Sequence, residues 1–176
     1  MIPDCDSNKC LFIAEVGQNH NGSLEKALEY VRVFAGAGAH VIKFQTRSNK
    51  YLFSEQAYAN PYESENAYGA TYGEHREALE LDEAEVRKVH AECKKFDVKF
   101  MSTPFDEPSL ELLLDVGVDL IKVASFDLGN LPFLQRVSSA KKPVVISTGG
   151  GQQEHISNSV ELLSKNGTEL AILHCV

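Results

Sequence analysis

Short apolar segments that end in polar residues recur along this chain. In the first, the apolar residues Phe12–Ala14 are followed at once by Glu15, then by a glycine, amides and an imidazole, before a helical pattern begins. The same change from apolar to polar returns near residues 41–46, 100–104, 121–125 and 144–151. Such segments are typical of buried strands, and each carries its hydrogen-bonding side chains at its carboxyl end. We therefore expect these side chains to meet on one face of a parallel barrel or sheet.

The apolar spacing predicts about six strands that alternate with five helices. Ser23, Asp82, Asp106 and Asn130 are plausible helix N-caps, and Gly117 is a plausible helix stop. The predicted strands cover about 11–16, 41–44, 98–101, 120–123, 144–146 and 170–173.

Strands joined by crossover helices lie parallel, which leaves an open doubly wound sheet or a (β/α)8 TIM barrel. Polar residues at nearly every strand end favour the barrel, because an open sheet concentrates its site at one switch point. Six strands fall about two βα units short of eight. We therefore predict an incomplete TIM barrel: one domain over residues 1–176 that forms the N-terminal portion of a larger barrel.

The segment between Thr46 and Leu81 is polar and rich in tyrosine, and it has no clean periodicity. Connections this long inside a compact domain are usually functional loops.

Composition narrows the possible partners. The formal charge of −8 and the pI near 5.2 argue against binding to nucleic acid or to an anionic membrane, because no basic stripe is present. The four cysteines show no zinc-like spacing, so reduced thiols are expected. No leader pattern or spanning apolar segment occurs, and we expect a soluble cytoplasmic protein.

Lys43 and Lys122 stand among apolar neighbours at the ends of the second and fourth strands. A buried ammonium needs a counter-charge, and two of them at one mouth suggest a phosphate or carboxylate ligand. The alternative is that each lysine pairs with a nearby acid such as Glu15.

Several other strand-end residues have more than one interpretation. Glu15 suits a general base, a metal ligand or an acceptor for a sugar hydroxyl, and it equally suits an ion pair with a lysine. Gln45, Asn19 and Asn21 suit polyol recognition, although Asn21 before glycine also fits a tight turn. The run 147–151 could bind an anion through bare N–H groups, or it could be only a loop.

The histidines give weaker evidence of a functional role than the lysines and Glu15 do. We expect His20 to be a structural turn residue and His75 to be a solvated loop residue. We expect His40, His90 and His155 to lie on the surface or in helices, and no pair of histidines has metal-ligand spacing on one element.

Seven motifs together resemble the N-acetylneuraminate (sialic acid) synthase family, in the same order along nearly the whole chain. They are AEVGQNHNG at 14–22, KFQ at 43–45, YGEH at 72–75, STPF at 102–105, KVAS at 122–125, STG at 147–149 and LHC at 173–175. The resemblance implies a (β/α)8 barrel enzyme that condenses phosphoenolpyruvate with an N-acetylmannosamine-type sugar, or its 6-phosphate, and releases phosphate.

The resemblance also implies roles for individual residues. Glu15 and Gln45 would face the sugar, and Glu15 is a candidate to orient or deprotonate the attacking water. Phosphoenolpyruvate would be held by a set of cationic and hydroxyl side chains: Lys43, Thr103, Lys122, Ser125 and Ser147.

Two residues depart from the family pattern, and part of the family's architecture is not in this sequence. Ala124 replaces a usual glycine and Gly150 a usual methionine, which would slightly reshape the phosphoenolpyruvate pocket. The resemblance implies a divalent metal, Mn or Mg, with ligands on later strands, and a C-terminal antifreeze-like domain that caps the site of a homodimer partner. We therefore expect little activity from this chain alone, and exposed sheet edges that impair its behaviour in solution.

Three alternatives remain at this point. One is another phosphoenolpyruvate-dependent sugar-acid synthase or aldolase barrel. Another is a non-catalytic remnant that binds phosphoenolpyruvate or a full-length partner. The last is an unrelated open α/β domain that binds no anion.

Overall fold

Six parallel strands in the order β1-β2-β3-β4-β5-β6 form the sheet of this computed structural model, which describes residues 10–176. The strands are β1 Ile13–Gly17, β2 Val41–Thr46, β3 Lys99–Pro104, β4 Leu120–Val123, β5 Val144–Ser147 and β6 Leu170–Leu173. Every strand pairs with the next one along the chain, as in a barrel. The predicted incomplete TIM barrel of six strands is confirmed.

Eight α-helices lie within the described residues. They are α1 Leu24–Gly36, α2 Asn49–Leu52, α3 Glu55–Ala59, α4 Tyr72–Glu77, α5 Glu83–Lys95, α6 Glu107–Val116, α7 Leu131–Ser139 and α8 Gln153–Lys165. Five of them, α1 and α5 to α8, are the predicted crossover helices. The short helices α2 to α4 lie in the segment after Thr46, where the sequence shows no periodicity from which to predict them.

The helix ends follow the predicted capping chemistry. The side chains of Ser23, Asp82, Asp106 and Asn130 each accept a hydrogen bond from a first-turn backbone N–H. Gly117 ends α6 with a left-handed φ of 89°. None of the described helices is both long and apolar enough to cross a bilayer.

The two faces of the sheet carry different residues. The outer face packs against the crossover helices in the larger core cluster, which includes Ile42, Phe100, Ile121 and Ile146. The inner face carries a smaller cluster of Val41, Met101, Leu120 and Val145. Because side chains alternate along a strand, the residues two positions further on also point inward, at the carboxyl ends.

β1 and β6 form the two edges of the sheet, as the count of six strands led us to expect. Apolar side chains near both edges are exposed: Phe12 by 63% and Ile172 by 49%. Residues 1–9, which include Cys5, one of the four cysteines expected to be reduced, lie outside the described part of the chain.

Candidate functional site

A polar layer lies directly above the inner apolar cluster. On β2 the inner face changes from Val41 to Lys43, and on β4 it changes from Leu120 to Lys122. The same change occurs on β1 at Glu15 and on β5 at Ser147. The sequence therefore places charged and hydroxyl groups on four strands in one layer of the inner face, directly above the apolar cluster.

Lys43 and Glu15 form an ion pair. The strand register sets the two residues side by side, and the Lys43 Nζ contacts Glu15 Oε2. The side chain of Lys43 is 10% exposed, whereas that of Glu15 is 52% exposed. The alternative interpretation of an acid partner is thus correct for this lysine, but the acid is open to solvent and can contact a ligand.

Lys122 has no such partner within the part of the chain that the structure describes. Its Nζ donates a hydrogen bond to the Val123 carbonyl at 2.6 Å, and among residues 10–176 no carboxylate oxygen lies within 4.0 Å of it. Burial and the nearby charge of Lys43 lower the pKa of Lys122 from 10.5 to about 8. A buried ammonium without a counter-ion stabilises a bound anion.

Both lysines line the same cavity. It has a volume of about 290 Å³ and is bounded by Glu15, Lys43, Lys122 and Ser147, with apolar walls from Ile13, Met101, Val145 and Leu173. Two cations and one carboxylate give these walls a net positive charge when Lys122 is protonated. This excess of positive charge, in a chain of net charge −8, favours a small anionic ligand.

Ser147 connects the cavity to the end of β6. Hydrogen bonds from the Ser147 hydroxyl and from the Thr148 N–H lower the pKa of the Cys175 thiol. Lys122 acts in the same direction by its charge. These groups therefore favour negative charge at Cys175, which is not among the residues that bound the cavity.

The glycine-rich run after β5 is not an open cradle of N–H groups. Gly149 N–H donates to Ser125 Oγ at 3.1 Å, and Gly151 N–H donates to the Thr148 carbonyl at 3.1 Å. A Cβ on Gly151 would lie 2.1 Å from Leu128 Cδ2, so a larger residue there would displace the Leu128 side chain. Ser125 thus supports this loop rather than lining the cavity.

Gln45 and Thr103 lie beside each other in register, further out along β2 and β3. Thr103 is buried, whereas Gln45 is half-buried near Gly17. Neither is among the residues that bound the 290 Å³ cavity. The structure thus separates these two predicted site residues from the lysine cavity by about one layer of side chains.

The amides after β1 form a turn. Asn19 Nδ2 donates to the Val16 carbonyl at 2.9 Å, and Asn21 has a φ of 52°. His20 is buried, its Nδ1 accepts a hydrogen bond from the Gly22 N–H, and burial lowers its pKa to about 4. The turn interpretation therefore describes all three residues.

His75 is not the solvated loop residue that we expected. It is 9% exposed, stacks on Tyr62 with 4.4 Å between ring centroids, and accepts a hydrogen bond from the Tyr68 N–H. The helix and the tyrosines after Thr46 bury it, and burial lowers its pKa. His90, by contrast, lies in a helix as expected, although it is buried there.

Sequence reasoning missed Arg47 and Glu80, which form an ion pair next to Gln45. Their side chains are only 9% and 11% exposed, and Arg47 Nη1 lies 3.3 Å from Glu80 Oε1. Arg47 follows β2 directly and stands two residues after Gln45. The search for polar residues at strand ends would have identified Arg47 if the predicted second strand had extended to Thr46.

The described residues do not fit a metal site. Within 10–176, no group of three or more histidine, cysteine, aspartate and glutamate side chains could hold a metal ion. Glu15, the carboxylate on the cavity wall, already pairs with Lys43.

Comparison with known proteins agrees with this geometry. The sequence matches the NeuB family over residues 30–176. The chain belongs to the NeuB family. The family predicted from the seven motifs is thereby confirmed.

Two curated relatives of this NeuB chain are sugar-acid synthases. It is 38% identical over 165 residues to the N-acetylneuraminate-9-phosphate synthase of Drosophila melanogaster, covering 93% of this chain and 44% of that protein. It is 34% identical over 171 residues to the N,N'-diacetyllegionaminic acid synthase of Campylobacter jejuni, covering 95% of this chain and 51% of that protein. The NeuB chain thus spans about half the length of these relatives.

The fold has a solved counterpart. The crystal structure of N-acetylneuraminic acid (sialic acid) synthetase from Leptospira borgpetersenii, in complex with citrate, superposes with a TM-score of 0.82 at 29% identity. The match covers 96% of the NeuB chain and 55% of that protein.

Proposed function

We propose that this chain supplies the phosphoenolpyruvate-binding half of a sialic acid synthase-like enzyme. That enzyme would condense phosphoenolpyruvate with N-acetylmannosamine, its 6-phosphate or a related amino sugar, and would release a nine-carbon 2-keto sugar acid and phosphate. The observation that carries the proposal is that Lys43 and Lys122 share one cavity in which, among residues 10–176, only Lys43 has an acid partner.

Phosphoenolpyruvate suits this cavity in charge and size. Its carboxylate and its phosphate are two anionic groups on a three-carbon skeleton, and two ammonium groups line the cavity. A volume of about 290 Å³ is at the small end of ligand sites, which span roughly 300–1,000 Å³. The apolar wall from Met101 and Val145 suits the methylene carbon of this ligand.

The side chains of the site would divide the work as follows. Lys122 and Lys43 would bind the two anionic groups, and Ser147 would donate a hydrogen bond to one of them. The C2=C3 π electrons of phosphoenolpyruvate would form the bond from C3 to the aldehyde carbon, and the aldehyde oxygen would take up a proton. Water would add at the cationic C2 and lose its protons, and the C2–O bond to phosphate would break as C2 becomes the ketone. Glu15, half-exposed at the cavity rim, would orient or deprotonate that water.

Glu15 and Gln45 would face the acceptor sugar. Both lie around the bare backbone of Gly17: a Cβ built there would be 3.1 Å from Glu15 Oε1 and 3.5 Å from Gln45 Nε2. A carboxylate acceptor next to an amide donor suits a polyhydroxylated ligand. The names of the two curated relatives described above, both synthases of acidic sugars, support the same choice.

A divalent metal and a homodimer partner are expected for the whole enzyme from the resemblance alone. The described residues offer no metal site, and the roles above are assigned only to side chains of this chain.

Calorimetry with phosphoenolpyruvate tests the proposal directly. We expect one binding site per chain, with much weaker binding of inorganic phosphate or pyruvate, since each carries only one of the two anionic groups. No heat of binding, or equal affinity for all three ligands, would overturn the proposal.

The affinity for phosphoenolpyruvate should depend on the pH through Lys122. The free protein has a Lys122 pKa of about 8, and only the protonated amine attracts the anion. We therefore expect a constant Kd up to about pH 7 and a loss approaching tenfold per pH unit above pH 8. The phosphate of the ligand is already fully ionised there, because its second pKa is about 6. A flat Kd between pH 7 and 9.5 would contradict this assignment.

The acceptor can be tested separately by saturation-transfer NMR. We expect N-acetylmannosamine to bind in the presence of phosphoenolpyruvate, and arabinose 5-phosphate and erythrose 4-phosphate not to bind. The opposite preference would favour another phosphoenolpyruvate-dependent sugar-acid synthase.

A further inference from the structure

Arg47 is held from three sides behind the mouth of the site. Its guanidinium lies 3.7 Å from the centroid of the Phe105 ring, donates to Gln45 Oε1 at 2.5 Å, and donates to Glu80 Oε1 at 3.3 Å. Stacking on an aromatic face and hydrogen bonding at the edge use both properties of the planar guanidinium. The position of Arg47 is therefore fixed.

Glu80 connects the ends of two strands. Its carboxylate accepts hydrogen bonds from Gln18 Nε2 at 2.5 Å, from the Arg47 backbone N–H at 3.2 Å and from the Arg47 side chain. Gln18 follows β1 and Arg47 follows β2, whereas Glu80 belongs to the segment before α5. The side chain is 11% exposed, so these bonds are shielded from water.

This network decides which way the amide of Gln45 points. A guanidinium can only donate hydrogen bonds, so the Gln45 atom that faces Arg47 must be the carbonyl oxygen. The Gln45 NH2 group is then directed away from Arg47, towards Gly17 and the Glu15 carboxylate. Without Arg47, the amide could rotate and present either atom.

We propose that Glu80 and Arg47 are positioning residues for the acceptor half of the site. Glu80 fixes Arg47, and Arg47 fixes Gln45 as a donor beside the Glu15 acceptor. A sugar hydroxyl, which accepts one hydrogen bond and donates another, matches this pair. The inference rests on the proposed function, and it adds that the Glu80–Arg47 pair sets affinity for the sugar and not for phosphoenolpyruvate.

Glu80→Gln tests the inference, with Glu92→Gln as the matched control. Glu92 is 12% exposed and pairs with Arg32 at 2.6 Å, but it lies on α5, outside the cavity wall and the Gln45 network. In the full 176-residue chain we expect Glu80→Gln to weaken N-acetylmannosamine binding about tenfold, the effect of losing one oriented hydrogen bond. Phosphoenolpyruvate affinity should change less than about twofold, and Glu92→Gln should change neither affinity.

Each outcome decides between distinct explanations. Equal losses for both ligands would show a general structural role for Glu80 and overturn the inference, as would unchanged sugar binding. If the unmutated chain binds phosphoenolpyruvate but no sugar, the inference fails while the proposed function stands. If phosphoenolpyruvate does not bind either, both fail.

A second variant covers the case in which Glu80→Gln does not melt cooperatively. Arg47→Lys keeps a positive charge beside Glu80 but has a single point donor in place of the planar fork. It should weaken sugar binding about as much as Glu80→Gln and leave phosphoenolpyruvate binding unchanged. Sugar binding at the level of the unmutated chain would overturn the inference.

Discussion

Lys122→Met should stabilise the fold and, at the same time, remove most of its affinity for phosphoenolpyruvate. A charge-assisted hydrogen bond contributes about 1.5–3 kcal/mol, so the loss of the ammonium should raise the Kd by a factor on the order of 10–100. Lys88→Met, on the exposed face of α5, is the matched control and should leave the Kd unchanged. Calorimetry measures both.

The stability gain follows from the same buried charge. The folded-state pKa of about 8 lies below the unfolded value of 10.5, so the protonated amine opposes folding. Each pKa unit is 1.36 kcal/mol, and replacing buried charges by apolar groups stabilises proteins by about 1–4 kcal/mol, so we expect a gain of ~1–3 kcal/mol at pH 7.

The pH dependence gives this prediction a second check. Between pH 8 and 10.5 the unfolded chain binds more protons at Lys122 than the folded one, so the unmutated protein gains stability as the pH rises. The advantage of Lys122→Met over the unmutated chain should therefore shrink across that window. Urea unfolding at pH 7 and 9.5 measures it, and a variant less stable at pH 7 would refute the description of Lys122 as an uncompensated charge.

Gly22→Ala should be strongly destabilising, with a loss of about 3 kcal/mol or more. Gly22 has a φ of +73°, and a Cβ there would lie 2.0 Å from the carbonyl oxygen of Ala78. A left-handed backbone costs an L residue roughly 1–2 kcal/mol, and the clash with rigid backbone adds to that cost. This contact joins the turn after β1 to the segment that carries Glu80.

Gly38→Ala separates the two contributions. Gly38 has a φ of +87°, but within residues 10–176 no atom beyond its two chain neighbours lies within 4 Å of the position that its Cβ would occupy. This variant should therefore lose only the backbone contribution of roughly 1–2 kcal/mol. Urea unfolding of both variants measures the difference, and equal losses would show that the contact with Ala78 is unimportant.

The two predictions concern different parts of one arrangement. We expect Lys122 to lower the stability of the sheet and to provide affinity for an anion, a combination that is common at functional sites. Gly22 lets the turn after β1 approach the segment before α5 closely enough for Gln18 to reach Glu80.

The amino-acid sequence by itself determined the strands, the crossover helices, their caps and the alignment of polar groups at one end of the sheet. These features depend on neighbours that are two to four residues apart, so hydrophobic spacing and capping chemistry reveal them. The order of the motifs also identified the family. The ranges of β4 and β6 were predicted without error.

Only the tertiary structure decided which charged groups and hydrogen-bond donors pair with which partners. That Glu15 pairs with Lys43, and that no acid of the described part of the chain pairs with Lys122, depends on strand register and side-chain reach. Arg47 and Glu80 pair although they stand 33 positions apart in the sequence. Ser125 Oγ accepts a hydrogen bond from the Gly149 N–H across 24 positions. Such contacts leave no periodic signal in the sequence, because their partners are set by the packing of separate elements.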